Sequence, residues 1–194
     1  NELSVEEWDN SFGKVYRNHI ENGVEMIMAG HIALPEYQKA LRPALEDKDV
    51  MPATLAEELI QDLLKEKLDF NGMVITDASH MLGMTRAMRR EDYVPGAIAA
   101  GCDMLLFFKN MEVDFNFMLK GYHNRVITEE RMTDALRRIL GLKAKLNLPE
   151  KQANGTLLKA KKELEVIGCA EHLEWQKEAA DRGITLVKDT QQDL

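Results

Sequence analysis

The chain has 194 residues, of which 45% are hydrophobic and 30% are charged, and its formal net charge is −8. These proportions are typical of a globular protein with a buried core. No apolar stretch reaches the roughly 18 residues that suggest a membrane-spanning helix, so we expect no membrane association. The negative charge, without a stripe of Lys and Arg among aromatic residues, argues against a nucleic-acid partner.

Cys102 and Cys169 are the only cysteines, and they have no CxxC spacing. The sequence also contains no GxGxxG, P-loop or HExxH motif. We therefore expect structural thiols, no metal and no cofactor. The chain starts at Asn1 without an initiator Met, and we expect both of its ends to be cuts within a longer protein.

The first elements in chain order are a helix and a strand. Ser4 and Glu7 form a capping box, which predicts a helix from there to about residue 22. The apolar run 24–29 is too short for a helix and indicates a buried strand. The next segment, 32–53, contains three prolines and is predicted to be irregular.

A second capping box, Thr54 with Glu57, predicts another helix. The run 73–76 then indicates a second buried strand, which ends at Asp77. A helix is predicted over 91–100, with Pro95 in its first turn.

A third strand is predicted over 104–108, and helices are predicted over 112–122 and 128–145, the latter capped by Thr128. Uniformly apolar strands alternating with helices indicate an α/β fold with a parallel sheet. Residues 147–167 are predicted to be a surface connector. A last helix over 169–182 and a strand over 184–187 should lead into a second domain.

Polar residues directly follow all three apolar runs of the first part, namely His31, Asp77 and Lys109. In parallel α/β folds, catalytic residues collect at the carboxyl ends of strands. Asp77 there suits a nucleophile that attacks a sugar anomeric carbon, or else an N-cap for a helix near Ser79. Lys109 is interpreted as an exposed loop lysine.

Two histidines are further candidates for substrate binding. His31 is predicted either to contact a substrate hydroxyl or to orient a carboxylate, with a buried, backbone-bonded ring as the alternative. His80 follows Asp77 by three residues and is expected to lie beside it rather than across a substrate.

Several segments together resemble glycoside hydrolase family 3. Leu68–Asp77 (LDFNGMVITD) is similar to the nucleophile signature of the family. The other matching segments are Pro52–Leu55 (PATL), Ala100–Leu106 (AGCDMLL), Ile127–Arg131 (ITEER), Arg137–Leu140 (RRIL), Lys143–Leu146 (KAKL) and Ile184–Lys188 (ITLVK).

The resemblance implies a partial (β/α)8 TIM barrel in residues 1–146, holding strands six to eight. Residues 147–194 would then be a linker, a helix and the first strand of a truncated second domain. Asp77 would be the nucleophile that forms a covalent glycosyl-enzyme intermediate. The sequence 78–80 departs from the family, since many members carry a second Asp there.

Met28–His31 (MAGH) followed by Pro35 resembles the β-N-acetylhexosaminidase branch, so terminal β-linked N-acetylglucosamine is the expected substrate. A β-glucosidase or a glycosyl phosphorylase of the same family is the alternative. The general acid/base is expected outside these residues, so the isolated chain should be inactive.

Non-enzymatic alternatives are a structural fragment and a phospho-acceptor signalling domain, which Asp77 and Lys109 superficially suit. Apart from the carbohydrate, the expected partners are the remaining barrel strands and the second domain of the same polypeptide. The open sheet edges also predict self-association of the fragment.

Overall fold

A computed structural model describes residues 1–187, which lie in two compact units, 1–146 and 147 onward. The elements of the first unit are α1 (Val5–Asn10), α2 (Phe12–Glu21), β1 (Met26–Ala29), α3 (Pro35–Leu41), 3-10 turns at Asp47–Asp49 and Ala53–Leu55, a π-helix (Glu58–Lys67), β2 (Met73–Thr76), α4 (Leu82–Thr85), α5 (Arg90–Ala100), α6 (Met111–His123) and α7 (Glu129–Lys145).

The predicted first helix is interrupted. Its capping box is confirmed, because the Glu7 amide donates to Ser4 Oγ and the Ser4 amide donates to Glu7 Oε2. However, Ser11 has non-helical dihedrals and its hydroxyl donates to the Glu7 carbonyl oxygen, which separates α1 from α2. Local side-chain bonding to the backbone thus competes with helix continuation.

The two described strands pair in parallel, as the alternation of elements predicted. Met26 is paired with Met73, and Ala29 with Thr76, so the carboxyl ends of β1 and β2 lie side by side. All four residues of β2 are buried, whereas Met26 and Met28 of β1 are about half exposed. β2 is therefore the inner strand of this pair.

The prediction of a third strand over 104–108 is wrong. Only Met104 forms a β-bridge, in parallel with Ile75. The Leu106 amide donates to the Thr76 side-chain hydroxyl instead of to a backbone carbonyl, at 2.8 Å. Phe107 then turns the chain with a left-handed φ of 52°. The β-ladder ends because the Thr76 hydroxyl, rather than a backbone carbonyl, accepts the hydrogen bond from the Leu106 amide, and because the backbone leaves the extended region at Phe107.

The helix after Pro52–Leu55 also differs from the prediction. The Thr54 hydroxyl caps no helix, since it lies against the carbonyl oxygens at the end of β1. Glu58–Lys67 is wound as a π-helix, and the Leu68 amide donates to the carbonyl of Leu63, five residues earlier. The buried residues of this helix are Glu58, Leu59, Ile60, Leu63 and Leu64.

The helices α5, α6 and α7 agree with the predicted positions, with one correction, whereas the short α4 was not predicted. Pro95 lies in the middle of α5 rather than in its first turn. It packs against Gly121 of α6, where a side chain would be too close to the proline ring. The Thr128 cap of α7 is confirmed by a hydrogen bond from the Arg131 amide to its hydroxyl.

The second unit is mainly exposed and helical. It contains α8 (Leu148–Ala153), a 3-10 segment (Lys161–Val166) and α9 (Ala170–Gly183), so the predicted connector is partly helical. Residues 184–187 form no strand, and Lys188, the last residue of that predicted strand motif, lies outside the described residues. Across residues 1–187, no helix is both long enough and apolar enough to cross a membrane.

Candidate active site

Asp77 is the first residue after β2, at the carboxyl end of the buried strand. Its amide donates to the Ala29 carbonyl oxygen at 3.0 Å, which continues the pairing with β1 by one residue. Its side-chain Oδ1 accepts a hydrogen bond from the Ala78 amide at 2.6 Å. The carboxylate is half-buried, and its backbone is fixed to the neighbouring strand.

His31 lies beyond the end of β1, beside the Asp77 loop. Its Nδ1 is 2.7 Å from Thr54 Oγ1, and its Nε2 is 3.0 Å from the carbonyl oxygen of Ala78. The structure therefore brings His31 next to Asp77 in space, with both ring nitrogens bonded to protein atoms. This arrangement corresponds to the alternative prediction for His31, in which its ring is hydrogen-bonded to the backbone.

The other side of the Asp77 loop is fixed by a buried cluster of polar groups. Arg90 pairs with Asp114, donates to Ser79 Oγ at 3.1 Å and also contacts Tyr93. The Tyr93 hydroxyl donates to the Ser79 carbonyl oxygen at 2.8 Å. The side-chain hydrogen bond from Arg90 lowers the pKa of Asp114 and keeps it ionised. These contacts hold Ser79, two residues beyond Asp77.

A second ion cluster lies beneath β2. The buried carboxylate of Asp103 pairs with Arg131, and Lys65 Nζ is 4.0 Å from it. Burial raises the pKa of Asp103 and lowers the pKa of Lys65. Burial also raises the pKa of the Cys102 thiol to about 12, in accord with a structural thiol.

The remaining predicted candidates lie apart from this arrangement. His80 is exposed, and its ring lies 6.3 Å from the ring of Phe107, measured between centroids. The side chain of Lys109 is exposed, and only its backbone amide joins the buried cluster, by donating to Asp114 Oδ2. Within residues 1–187, no group of three or more His, Cys, Asp or Glu side chains is arranged to hold a metal ion.

Several residues around Asp77 were not identified as functional from the sequence. Thr54 was assigned to a capping box, and Arg90 and Asp114 carried no motif. The Pro52–Leu55 segment, which resembles a segment of the family, could have identified Thr54. A threonine that only caps a helix does not need these particular neighbours. No local pattern marks the pairing of Arg90 with Asp114, 24 residues later.

An open cleft of about 610 Å³ lies at the opposite end of the strands. Its lining includes Gly23, Gly72 and Arg138, near the amino ends of β1 and β2. Functional groups of parallel α/β folds gather at the carboxyl ends, where Asp77 lies. The geometry thus defines an α/β domain with a strand-end carboxylate as its candidate reactive group.

Comparison with known proteins gives the family. Residues 2–142 match the glycosyl hydrolase family 3 N terminal domain. A beta-N-acetylglucosaminidase/beta-glucosidase of Cellulomonas fimi is 48% identical over 189 residues, which are 97% of this chain and 33% of that protein.

Solved structures of related enzymes are also similar to this chain. A structure of beta-glucoside phosphorylase BglX superposes with a TM-score of 0.90 and 39% identity, over 100% of this chain and 34% of that one. A family 3 beta-N-acetylglucosaminidase from Paenibacillus sp. str. FPU-7 gives a TM-score of 0.65 and 26% identity, over 74% of this chain and 26% of that one.

The chain belongs to glycoside hydrolase family 3, and residues 2–142 match the N-terminal domain of that family. It spans about a third of the length of the first two relatives. The relatives reported above are named as enzymes that act on beta-glucosides or beta-N-acetylglucosaminides, so the membership is inconsistent with a phospho-acceptor signalling domain.

Proposed function

We propose that Asp77 is the catalytic nucleophile of a retaining enzyme that cleaves β-linked sugars. The observation that carries this proposal is the position of Asp77, fixed by its own backbone to β1 at the carboxyl end of a buried strand. The similarity of Leu68–Asp77 to the nucleophile signature of the family supports the same role. A rigidly held carboxylate is what a nucleophile at an anomeric carbon requires.

The reaction would proceed in two displacements. An oxygen of Asp77 attacks the anomeric carbon, the bond from that carbon to the glycosidic oxygen breaks, and a general acid protonates the leaving oxygen. Water or another acceptor then attacks the same carbon and releases Asp77. The Ala78 amide holds Oδ1, and Oδ2 receives no hydrogen bond from residues 1–187, so we assign the attack to Oδ2.

The general acid would come from the rest of the polypeptide. In retaining enzymes the two groups lie about 5 Å apart across the scissile bond. His80 packs beside Phe107 and is not proposed for this role. The complete enzyme, meaning the polypeptide that joins these residues to the rest of a family-length chain, is therefore the catalytic unit.

We further propose that β1 and β2 are strands six and seven of a (β/α)8 barrel, and that the segment 104–106, which keeps a single parallel bridge to β2, takes the place of strand eight. The parallel register of β1 with β2 and the parallel bridge at Met104 support this order. The exposed Met26 and Met28 of β1 would face the missing strands. Asp77 would then point into the barrel mouth from β2, which lies between β1 and the segment 104–106.

The proposed substrate is a terminal β-linked N-acetylglucosamine, because Met28–His31 followed by Pro35 resembles the hexosaminidase branch. The Cellulomonas fimi relative, named for both an N-acetylglucosaminidase and a glucosidase, supports this choice and keeps the glucosidase alternative. Phosphorolysis is the second candidate, because a neighbour at 39% identity is named a phosphorylase.

The test uses the complete enzyme and a slow 2-fluoro glycoside that accumulates the covalent intermediate. We expect the label on the peptide that contains Asp77, and we expect no label after Asp77→Ala. Labelling of another residue in the wild-type protein would disprove the assignment. Asp49→Asn, an exposed carboxylate in the loop before Pro52, is the matched control and should label normally.

Substrate and acceptor are decided by a second measurement. The kcat/KM for an aryl N-acetyl-β-glucosaminide should exceed that for the matching glucoside. A preference for the glucoside would favour the glucosidase alternative. Sugar 1-phosphate formed when inorganic phosphate is added would favour the phosphorylase, whereas free sugar at an unchanged rate would favour the hydrolase.

A further inference from the structure

We propose that His31 and Thr54 are positioning residues for the nucleophile, which act by fixing the backbone directly after Asp77. The contact between Thr54, the His31 ring and the Ala78 carbonyl is called here the histidine bridge. This inference rests on the proposed role of Asp77 and deepens it.

The histidine bridge complements the hydrogen bond that precedes it in the chain. The Asp77 amide donates to the Ala29 carbonyl oxygen, and the Ala78 carbonyl accepts from His31 Nε2. The peptide group directly before the Asp77 α-carbon and the second peptide group after it therefore both have external partners. The Ala78 amide in turn bonds to the carboxylate itself. Movement of residue 78 would thus move the carboxylate.

The hydrogen-bond partners of the His31 ring determine where its protons lie. A carbonyl oxygen only accepts, so Nε2 of His31 carries a proton. In the neutral ring the Thr54 hydroxyl donates to Nδ1. In the doubly protonated ring Nδ1 donates to Thr54, whose hydroxyl then donates to the Gly30 carbonyl oxygen at 3.1 Å. Both states hold Ala78, so the histidine bridge does not depend on the charge of the ring.

The surroundings restrict the ring to this arrangement. Thr54 is fully buried, so its hydroxyl is held in place as the hydrogen-bond partner of Nδ1 in either state of the ring. On the other side, a Cβ at Gly83 would lie 2.6 Å from the carbonyl oxygen of His31 and 2.8 Å from its Cβ. Only glycine allows α4 to approach His31 this closely. The ring therefore has no ring nitrogen left for a substrate hydroxyl in this conformation.

This assignment separates a positioning role from a substrate-binding role. A displacement of about 1 Å of a reacting group can cost about a hundredfold in rate. Loss of the contact to Ala78 should therefore slow the attack by Asp77 and change the dissociation constant of the substrate little. A residue that contacts the sugar would mainly change that dissociation constant when it is removed.

The two halves of the histidine bridge can be removed separately in the complete enzyme. Asn places its side-chain amide near the position of Nδ1, and Gln places its amide near the position of Nε2. His31→Gln should keep the bond to Ala78 and lose the bond to Thr54, whereas His31→Asn should do the reverse. His19→Gln, at the exposed end of α2 that leads to the opposite end of β1, is the control.

The measurement is the burst of aryl leaving group, which gives the rate constant for formation of the glycosyl-enzyme. We expect a loss of about a hundredfold for His31→Asn and about tenfold or less for His31→Gln. The dissociation constant of the substrate, taken from the concentration dependence of the burst rate, should be nearly unchanged in both. His19→Gln should match the wild type. Equal losses in the two His31 variants, wild-type rates in both, or a rise in the dissociation constant alone would overturn the proposal.

A second pair of variants covers the case in which a His31 variant does not fold. Thr54→Ser keeps the hydroxyl, and Thr54→Val keeps the shape and removes the hydroxyl. Serine should restore most of the glycosylation rate that valine loses, when the rates are expressed per folded molecule. Equal rates in the two variants would contradict the histidine bridge.

The outcomes for His31 and for Asp77 are distinguishable. If Asp77→Ala still traps the sugar, the proposed nucleophile is wrong whatever the His31 variants do. If Asp77→Ala abolishes trapping and His31→Asn reacts at the wild-type rate, the nucleophile stands and the histidine bridge is wrong.

Discussion

Asp103 and Val74 exchange two hydrogen bonds, one of them through a side chain. The Asp103 amide donates to the Val74 carbonyl oxygen at 2.7 Å, and the Val74 amide donates to Asp103 Oδ2 at 2.8 Å. The carboxylate thus replaces a strand partner for β2, three residues before Asp77. Arg131 pairs with the same carboxylate, so α7 is tied to the strand that carries the candidate nucleophile.

Replacement of Asp103 should destabilise the domain strongly. Asp103→Asn removes the buried one of the two carboxylates that Arg131 and Lys65 share and leaves only the partly exposed Asp134, and breaking a buried pair from one side costs about 3–5 kcal/mol. We expect a loss of about 3 kcal/mol in the free energy of unfolding of the complete enzyme, measured by urea denaturation. Asp47→Asn removes an exposed partner of Lys39 and should change the midpoint little. Equal effects of the two variants would contradict this account.

Two glycines should respond in opposite directions to the same substitution. A Cβ at Gly121 would lie 2.2 Å from the Cβ of Pro95, so Gly121→Ala should force α5 and α6 apart at a cost of about 1–3 kcal/mol. A Cβ at Gly141, in the C-terminal part of α7, would meet nothing within 4 Å. Gly141→Ala should therefore stabilise the helix by about 0.5–1 kcal/mol. Thermal unfolding midpoints of the two variants should lie on opposite sides of the wild-type midpoint.

The pairing of Arg90 with Asp114 predicts a dependence of stability on acid. The side-chain hydrogen bond from Arg90 lowers the pKa of Asp114 below its ordinary value of 3.8. The stabilisation is therefore complete above that value and is lost as the pH falls through the lowered pKa. The difference in unfolding midpoint between wild type and Asp114→Asn should be constant above about pH 5 and should shrink below about pH 4.

The control for this prediction is Asp49→Asn, which removes an exposed carboxylate from the same domain. Its midpoint should follow the wild-type curve throughout the acid range. A difference between wild type and Asp114→Asn that grows as the pH falls would have the wrong sign for the proposed ion pair.

The isolated 194-residue chain should show no glycosidase activity. Retaining hydrolysis needs a second acid about 5 Å from the nucleophile, and we assign that group to the rest of the polypeptide. Within residues 1–187, β1 pairs with β2 alone and leaves its other edge open, which favours self-association. Assays with aryl glycosides, together with light scattering, test both expectations. Turnover that Asp77→Ala abolishes would show that the acid lies within this chain.

The sequence was sufficient for the features that depend on neighbouring residues. The capping box at Ser4, the N-cap at Thr128 and the buried run that ends at Asp77 follow from local spacing, and the structure has all three. It was not sufficient for the run 104–108, where apolar character predicted a strand. Burial and strand pairing are different properties, and the pairing ended when Thr76 Oγ1 took the next backbone hydrogen bond.

By itself, the sequence determined that a carboxylate at residue 77 follows a buried strand, within segments similar to one family. Only the tertiary structure decided what surrounds that carboxylate. His31 is 23 residues from Thr54 and 47 from Ala78, so no periodicity within a helix or strand relates them. A hydrogen-bonding group is satisfied by whichever partner the packing of distant elements brings within about 3 Å, and a local pattern cannot specify that partner.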